Sequence, residues 1–217
     1  MAERELQHAE KAGNILLILT GMKKYIITGG PYSGKSSVLN LLEEMGIHVL
    51  HETARLIIRE DQEKKKSDPA YDFLYPWDDQ KVFCRRCHKR QLEREKELTG
   101  DIAVLDRSII DNLAYAAVAG IELDREIYRD IARAGYEKKV FYLDQLENYR
   151  PDDQRKDSEK QVKAVHEALH KVYSRLGFEI IQIPVFSDNK EANIRKRAEF
   201  ILKYIGENKI SEGVRNV

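Results

Sequence analysis

Cysteine is nearly missing from this sequence: Cys84 and Cys87 are the only two in 217 residues. A disulfide-stapled secreted fold is excluded, and a chain of this length buries enough of its unfolded surface to need no staples. Excess charge is missing too, since 37 Lys and Arg balance 37 Asp and Glu. That balance lacks the basic footprint of a dedicated nucleic-acid binder. No hydrophobic run is long enough to cross a bilayer. The best candidate, residues 14–20, follows a stretch carrying Glu3, Glu5 and Glu10 and precedes no small-residue cleavage pattern. These absences point to a cytoplasmic protein with no transmembrane segment and no nucleic-acid partner. Proline numbers only five, and no linker, repeat or low-complexity block divides the chain. One domain is expected over residues 22–206, with an extension at 1–21 and a tail at 207–217.

What the chain does contain is an alternation of short apolar runs and longer helical stretches, the pattern of an α/β protein with a mainly parallel sheet. The runs begin at Tyr25, Ile47, Ile102, Val140 and Ile180. Their near-continuous apolarity suits strands covered on both faces. Five strands are expected in a three-layer fold, flanked by helices over 35–45, 53–61, 78–98, 108–119, 124–134, 158–176 and 190–204. Two segments break the rhythm. Residues 64–77 mix charge, proline and aromatics. Residues 144–157 form a polar connection that reads as a helical lid, because loops of that length inside a compact domain are commonly functional.

The strongest chemical signal is Gly29-Gly30-Pro31-Tyr32-Ser33-Gly34-Lys35-Ser36, followed by Ser37. It is a G-x-x-x-x-G-K-S loop between a strand and a helix, the context a phosphate-binding loop requires. Its glycines let successive N–H groups point at phosphate oxygens, and the helix dipole adds to that field. Lys35 can reach the β- and γ-phosphates, and the Ser36 hydroxyl can ligate Mg²⁺. At the end of the third run stands Asp106, placed to hold Mg²⁺ through its water shell. Arg107 and Ser108 follow it, and Ser108 with Asp111 reads as a helix cap. After the second run come Glu52 and Arg55, three apart and able to share a face. A carboxylate there could orient or deprotonate an acceptor hydroxyl. Arg150 and Arg155 in the lid suit phosphoryl recognition.

Other signals are weaker. Cys84-Arg85-Arg86-Cys87-His88 spells a haem-attachment pattern, but it lies in a charged helical stretch and has no partner pair for zinc. The cysteines read as packing residues. Gln91, on their stripe with Glu95, is a candidate for reading an acceptor. Asn189-Lys190-Glu191-Ala192 resembles the opening of a guanine-reading motif that lacks its aspartate, so ATP and GTP both stay open.

Taken together, the phosphate loop, Glu52-Thr53-Ala54-Arg55, Gln91 with Glu95, Asp106-Arg107, Asp111 with Tyr115, and Arg155 resemble the NadR-like AAA-domain family of P-loop proteins. That family groups ribosylnicotinamide-kinase-like and TRPL translocation defect protein-like ATP/GTP-binding proteins. The Asp106-Arg107-Ser108 element also resembles that of deoxynucleoside kinases, where the arginine contacts substrate and phosphate. The resemblance implies a kinase-like P-loop fold, ATP and Mg²⁺ as cofactors, and an acceptor pocket under an arginine-bearing lid. Lys35, Glu52, Asp106, Arg107 and Arg155 would be catalytic; Glu52, Arg55, Gln91, Arg107 and Arg150 would meet a small hydroxyl-bearing acceptor. A nucleotide-switched regulator with slow hydrolysis is the other reading.

Overall fold

The computed structural model describes residues 21–146 and 159–213, with side chains through Gly206. The fold is organised by its central strand, β1 (Lys23–Thr28), whose last four residues are buried. Ile26 faces one helical layer and Tyr25 and Ile27 face the other, which explains why the run is apolar without alternation. Helix α1 (Lys35–Glu44) follows, then β2 (His48–Leu50), α2 (Thr53–Ser67), α3 (Gln80–Lys96) and β3 (Ile102–Asp106). The chain continues through α4 (Asp111–Ala119), α5 (Glu126–Arg133), β4 (Tyr136–Leu143), α6 (Glu159–Arg175), β5 (Glu179–Ile183) and α7 (Lys190–Gly213).

The five strands lie in the order β2-β3-β1-β4-β5, and every pairing among them is parallel. Register brings their carboxyl ends level: Ile27 sits opposite Asp106, Leu50 opposite Leu105, and Leu143 opposite Ile183. Helices α1 and α7 cover one face through Val38, Leu39, Leu42, Ala198 and Ile201. Helices α4, α5 and α6 cover the other through Ala114, Ile127, Ile131, Val165 and Leu169. Adjacent strands β1 and β3 therefore send their chains to opposite faces, which opens a crevice at their tips. Helices α2 and α3 close over that end with a small cluster of Ile57, Ile58, Phe83 and Cys87.

Several boundaries differ from the sequence expectation, three of them with a clear physical reason. Helix α2 continues through Ser67 rather than stopping at Asp61, and its last turn carries Lys64, Lys65 and Lys66. That charge favours the negative end of the helix dipole; what looked like loop is helix up to Ser67. Strand β4 begins at Tyr136, earlier than its apolar stretch, because Tyr136 is itself buried and donates its hydroxyl to Glu95. Helix α7 runs through Gly213, past Tyr204 and into the expected tail. The extension (residues 1–20), most of the lid (147–158) and the last four residues lie outside the described residues.

Candidate active site

The loop after β1 turns so tightly that a side chain at Gly29 is impossible. At φ 137, an added Cβ would stand 2.6 Å from the Leu143 carbonyl oxygen on β4. Tyr32 and Gly34 take positive φ as well, and the turn delivers the chain to Lys35 as the first residue of α1. No side chain caps this helix start, so its leading N–H groups are available to an anion, reinforced by the helix dipole. The Lys35 ammonium is buried within the loop. It donates to the Gly29 and Gly30 carbonyls at 3.1 and 3.0 Å and to Ser33 Oγ at 3.1 Å. Pro31 is buried, Ser37 half-buried and Ser36 exposed on α1.

Beside this loop, β3 ends in Asp106, 2% exposed, and the chain then does something unusual. Arg107 adopts φ 67, a left-handed conformation that costs a non-glycine residue about 1 kcal/mol or more. Its backbone N–H donates to the Ile27 carbonyl at 3.0 Å, so the turn is held against β1. Its guanidinium is buried, with Nε donating to Glu52 Oε1 at 3.2 Å and Nη1 to Asp111 Oδ1 at 2.9 Å. Burial alone would lower its pKa, but Tyr115, Glu52, Asp111 and Asp106 together hold it well above the ordinary arginine value. The remaining nitrogen, Nη2, is buried without a hydrogen-bond acceptor among the described residues. Arg107 lies on the wall of a cavity.

The lining of that cavity mixes charged side chains (Glu52, Arg55, Asp106, Arg107 and Asp111) with apolar and aromatic ones (Ile58, Pro76, Trp77, Phe83 and Tyr115), and the Arg107 guanidinium lies 5.4 Å from the centre of the Tyr115 ring. Arg55 Nε lies 3.4 Å from the second Glu52 oxygen, so both oxygens of this carboxylate face arginines. Trp77 stacks on Tyr75 with ring centroids 4.4 Å apart and is 42% exposed. A few polar groups set among apolar walls are the usual form of a small-molecule site.

The structure brings Glu52, Arg55, Asp106 and Arg107 together beside the phosphate loop, as the sequence led us to expect. Arg150 and Arg155 lie outside the described residues. Gln91 lines the cavity, yet its amide is engaged on both sides: Oε1 accepts from Thr53 Oγ1, and Nε2 donates to Glu95 Oε1 at 3.0 Å. With Arg94, which donates to the His51 carbonyl and to Thr53 Oγ1 at 2.7 Å, Gln91 fastens the turn that carries Glu52. Cys84 and Cys87 are buried free thiols in the cavity wall. Burial raises both pKa values, so they stay protonated. No cluster of three or more metal-binding side chains of the His, Cys, Asp and Glu types occurs among the described residues. Asn189, suspected as a base reader, caps α7 by accepting from the Ala192 N–H at 2.9 Å.

His166 and Arg197 escaped sequence reasoning, and Asp111 was read there only as a cap and as part of the family resemblance. Asp111 does more than cap: it accepts from Thr28 Oγ1 at 2.7 Å, Arg107 Nη1 at 2.9 Å, Ser108 N at 3.0 Å and Tyr173 OH at 2.6 Å. It joins β1, β3 and α6 beneath the site. His166 Nδ1 accepts the Gly30 N–H at 3.2 Å; burial lowers its pKa, which keeps that nitrogen an acceptor. Arg197 lies fully buried under the phosphate loop. Each sits on a long-range contact that carries no local spacing signal, although an arginine on the apolar face of α7 stands out once the helix is drawn.

No protein of curated function matches the chain by sequence. Solved structures do match in fold. Thymidylate kinase from Candida albicans aligns over 87% of this chain and 92% of its own, at 13% identity and a TM-score of 0.57. A NadR protein solved with NR aligns over 85% of this chain and 52% of its own, at 17% identity and a TM-score of 0.58. Deoxyadenosine kinase from M. mycoides aligns over 85% and 99%, at 14% identity and a TM-score of 0.50. This chain thus spans about half the length of that NadR chain. At such identities the likeness shows a P-loop kinase-like fold. A family model described as an AAA domain matches residues 24–191, and the chain belongs to that AAA domain family.

Proposed function

We propose that this protein transfers the γ-phosphoryl group of ATP to a hydroxyl of a small nucleoside- or nucleotide-like acceptor held in the cavity beside the phosphate loop. The observation that carries the reading is Arg107. A strained backbone and two carboxylates hold a buried guanidinium at the strand tip, on the wall of a largely apolar cavity, and its buried Nη2 has no acceptor among the described residues. A buried donor left without an acceptor costs about 1–3 kcal/mol, and an acceptor's oxygen or a transferring phosphoryl oxygen would offset it.

The remaining residues fit this chemistry. Lys35 and the leading amides of α1 would bind the β- and γ-phosphates. Ser36 and Asp106 are a hydroxyl and a carboxylate, the hard oxygen donors that Mg²⁺ takes alongside water and phosphate. Bound there, Mg²⁺ would neutralise charge on the phosphates. Glu52, oriented by Arg107 and Arg55, would hold the acceptor hydroxyl in line with the γ-phosphorus, where positioning supplies much of the rate. The acceptor oxygen forms its bond to phosphorus as the bond to the β–γ bridging oxygen breaks, and the hydroxyl proton leaves through Glu52 to solvent. The apolar walls would bind the body of the acceptor and exclude water. The parts of the lid that carry Arg150 and Arg155 would supply further cations to the transferring group.

The test is a panel of nucleosides, nicotinamide riboside and nucleoside monophosphates incubated with Mg·ATP and read by product mass. At least one should be phosphorylated. Glu52→Gln should keep Mg·ATP affinity within a few-fold and lower that transfer by about 10²-fold or more. If wild type phosphorylates none and Glu52→Gln leaves basal hydrolysis unchanged, the regulatory-switch reading replaces this one.

A further inference from the structure

Arg197 is the largest of the fully buried side chains, 1% exposed, yet it forms no ion pair among the described residues. Its guanidinium grips three backbone carbonyls from three different loops. Nη1 donates to Ser33 of the phosphate loop at 2.7 Å, Nη2 to Asp144 after β4 at 3.1 Å, and Nε to Pro184 after β5 at 2.9 Å. A planar fork spreads its donors over several ångströms and so reaches three separate loops; a lysine ammonium also has three donors but offers them from one point. A buried cation with no carboxylate in ion-pair contact, only the nearby charge of Asp144 working against its burial, is costly to the fold, so its retention calls for a reason.

The bond to Ser33 supplies one. In a planar trans peptide the carbonyl and the following N–H point in opposite directions. Holding the Ser33 carbonyl from beneath therefore aims the Gly34 N–H away from Arg197, toward the opening of the phosphate loop. Gly34 itself has φ 80 and no side chain, so nothing local prevents this peptide from turning over. Leu146 closes the same spot from the side, since a Cβ on Gly34 would meet it at 3.3 Å and Arg197 Nη1 at 3.7 Å. The loop after β5 is held in turn by Asn193, whose side-chain oxygen accepts the Phe186 N–H at 2.8 Å.

We infer that Arg197 is a positioning residue for polyphosphate binding, which locks the Ser33–Gly34 peptide so that its N–H faces the phosphates and which ties that peptide to the loops after β4 and β5. The inference rests on the reading of residues 29–36 as a nucleotide site. Inorganic tripolyphosphate is the probe that separates phosphate positioning from recognition of base or sugar. Arg197→Lys should lose affinity for Mg·ATP and for Mg·tripolyphosphate by the same factor, about tenfold or more. Arg197→Ala should regain part of it when methylguanidinium is added. Loss for ATP with tripolyphosphate unchanged would overturn the inference, as would equal affinity for both in a folded variant. Hydrogen exchange on the wild-type chain tests it without any substitution. Tripolyphosphate should slow exchange in residues 33–36 and, through Arg197, in residues 144–146 and at Phe186; protection confined to residues 33–36 would refute the coupling. Wild type that binds neither ligand refutes the nucleotide reading instead.

Discussion

Asp111 offers the sharpest test of how the site is supported, because its two possible roles differ in energy. If it were only a helix cap, replacing it would cost about 1 kcal/mol. The structure gives it four donors: Thr28 Oγ1 and Arg107 Nη1 on one oxygen, Ser108 N and Tyr173 OH on the other. Asp111→Asn keeps the shape and removes the charge. Whichever way the new amide is turned, its NH₂ meets a donor that cannot rotate, either the Arg107 guanidinium or the Ser108 N–H. That conflict costs about 1–3 kcal/mol. Removing one of two carboxylates from a buried arginine adds to it, and breaking such a pair costs about 3–5 kcal/mol in other proteins. A total of roughly 4–8 kcal/mol is a large part of the ~5–15 kcal/mol that holds a domain together. Tyr173→Phe is the control: it removes one charge-assisted bond, about 1.5–3 kcal/mol, and leaves three donors on the carboxylate. Urea unfolding followed by circular dichroism reads both, with an unchanged m-value confirming that the midpoints report stability. A loss near 1 kcal/mol for Asp111→Asn, no larger than that of Tyr173→Phe, would show that the cap is the whole of its role.

Other expectations follow from single residues. Lys35→Ala should weaken Mg·ATP binding by several kcal/mol or abolish it in calorimetry, since the buried ammonium collared by the loop would supply a full positive charge to bound phosphates. Changing Cys84 and Cys87 together to Ala should leave metal content at background and lower stability by about 1–3 kcal/mol through lost packing; stoichiometric zinc in wild type would contradict this. His166 carries a sign that can be checked. Its folded pKa lies below the ordinary value of 6.5, chiefly through burial and also through Lys35 and His170, against the opposing pull of Asp144 and Glu167. The unfolded chain therefore binds the proton more readily, and stability should fall as pH drops from neutrality to about 5. His166→Asn, which keeps an acceptor for Gly30 and cannot titrate, should flatten that fall in urea midpoints.

The strands and the phosphate loop were legible in the sequence because their signals are local. A buried parallel strand must be apolar along its length, and a phosphate loop must have glycines at fixed offsets. Glu52, Asp106 and Arg107 were legible for a related reason: each directly follows or ends an apolar run, and strand tips share one edge in a parallel sheet. The wider contacts of Asp111 and the burial of Arg197 were not legible because the partners lie far away in sequence. The local spacing of Ser108 and Asp111 suggested a cap, and a cap contact exists, but Tyr173 is 62 residues away. Arg197 and Ser33 are separated by 164 residues. Helical spacing puts Arg197 on the apolar face of α7, but only the packed structure shows which carbonyls it holds. The helix boundaries slipped at α2 and α7 for an energetic reason, since polar, charged turns continue a helix without an apolar face to mark them.

Trp77 has a practical consequence. It is the chain's sole tryptophan, stacked on Tyr75 with an interplanar angle of 14° and part of the cavity lining. Tyr71, Phe73, Tyr75 and Trp77 form a continuous aromatic ladder behind it. Such a ring, partly wet and next to a second chromophore, emits from one place only. Its fluorescence maximum therefore reports on the part of the cavity wall that Trp77 forms. The phosphate loop contributes Tyr32 but no indole. A molecule that shifts the indole emission without changing nucleotide affinity has entered the cavity, and the protein needs no label to say so.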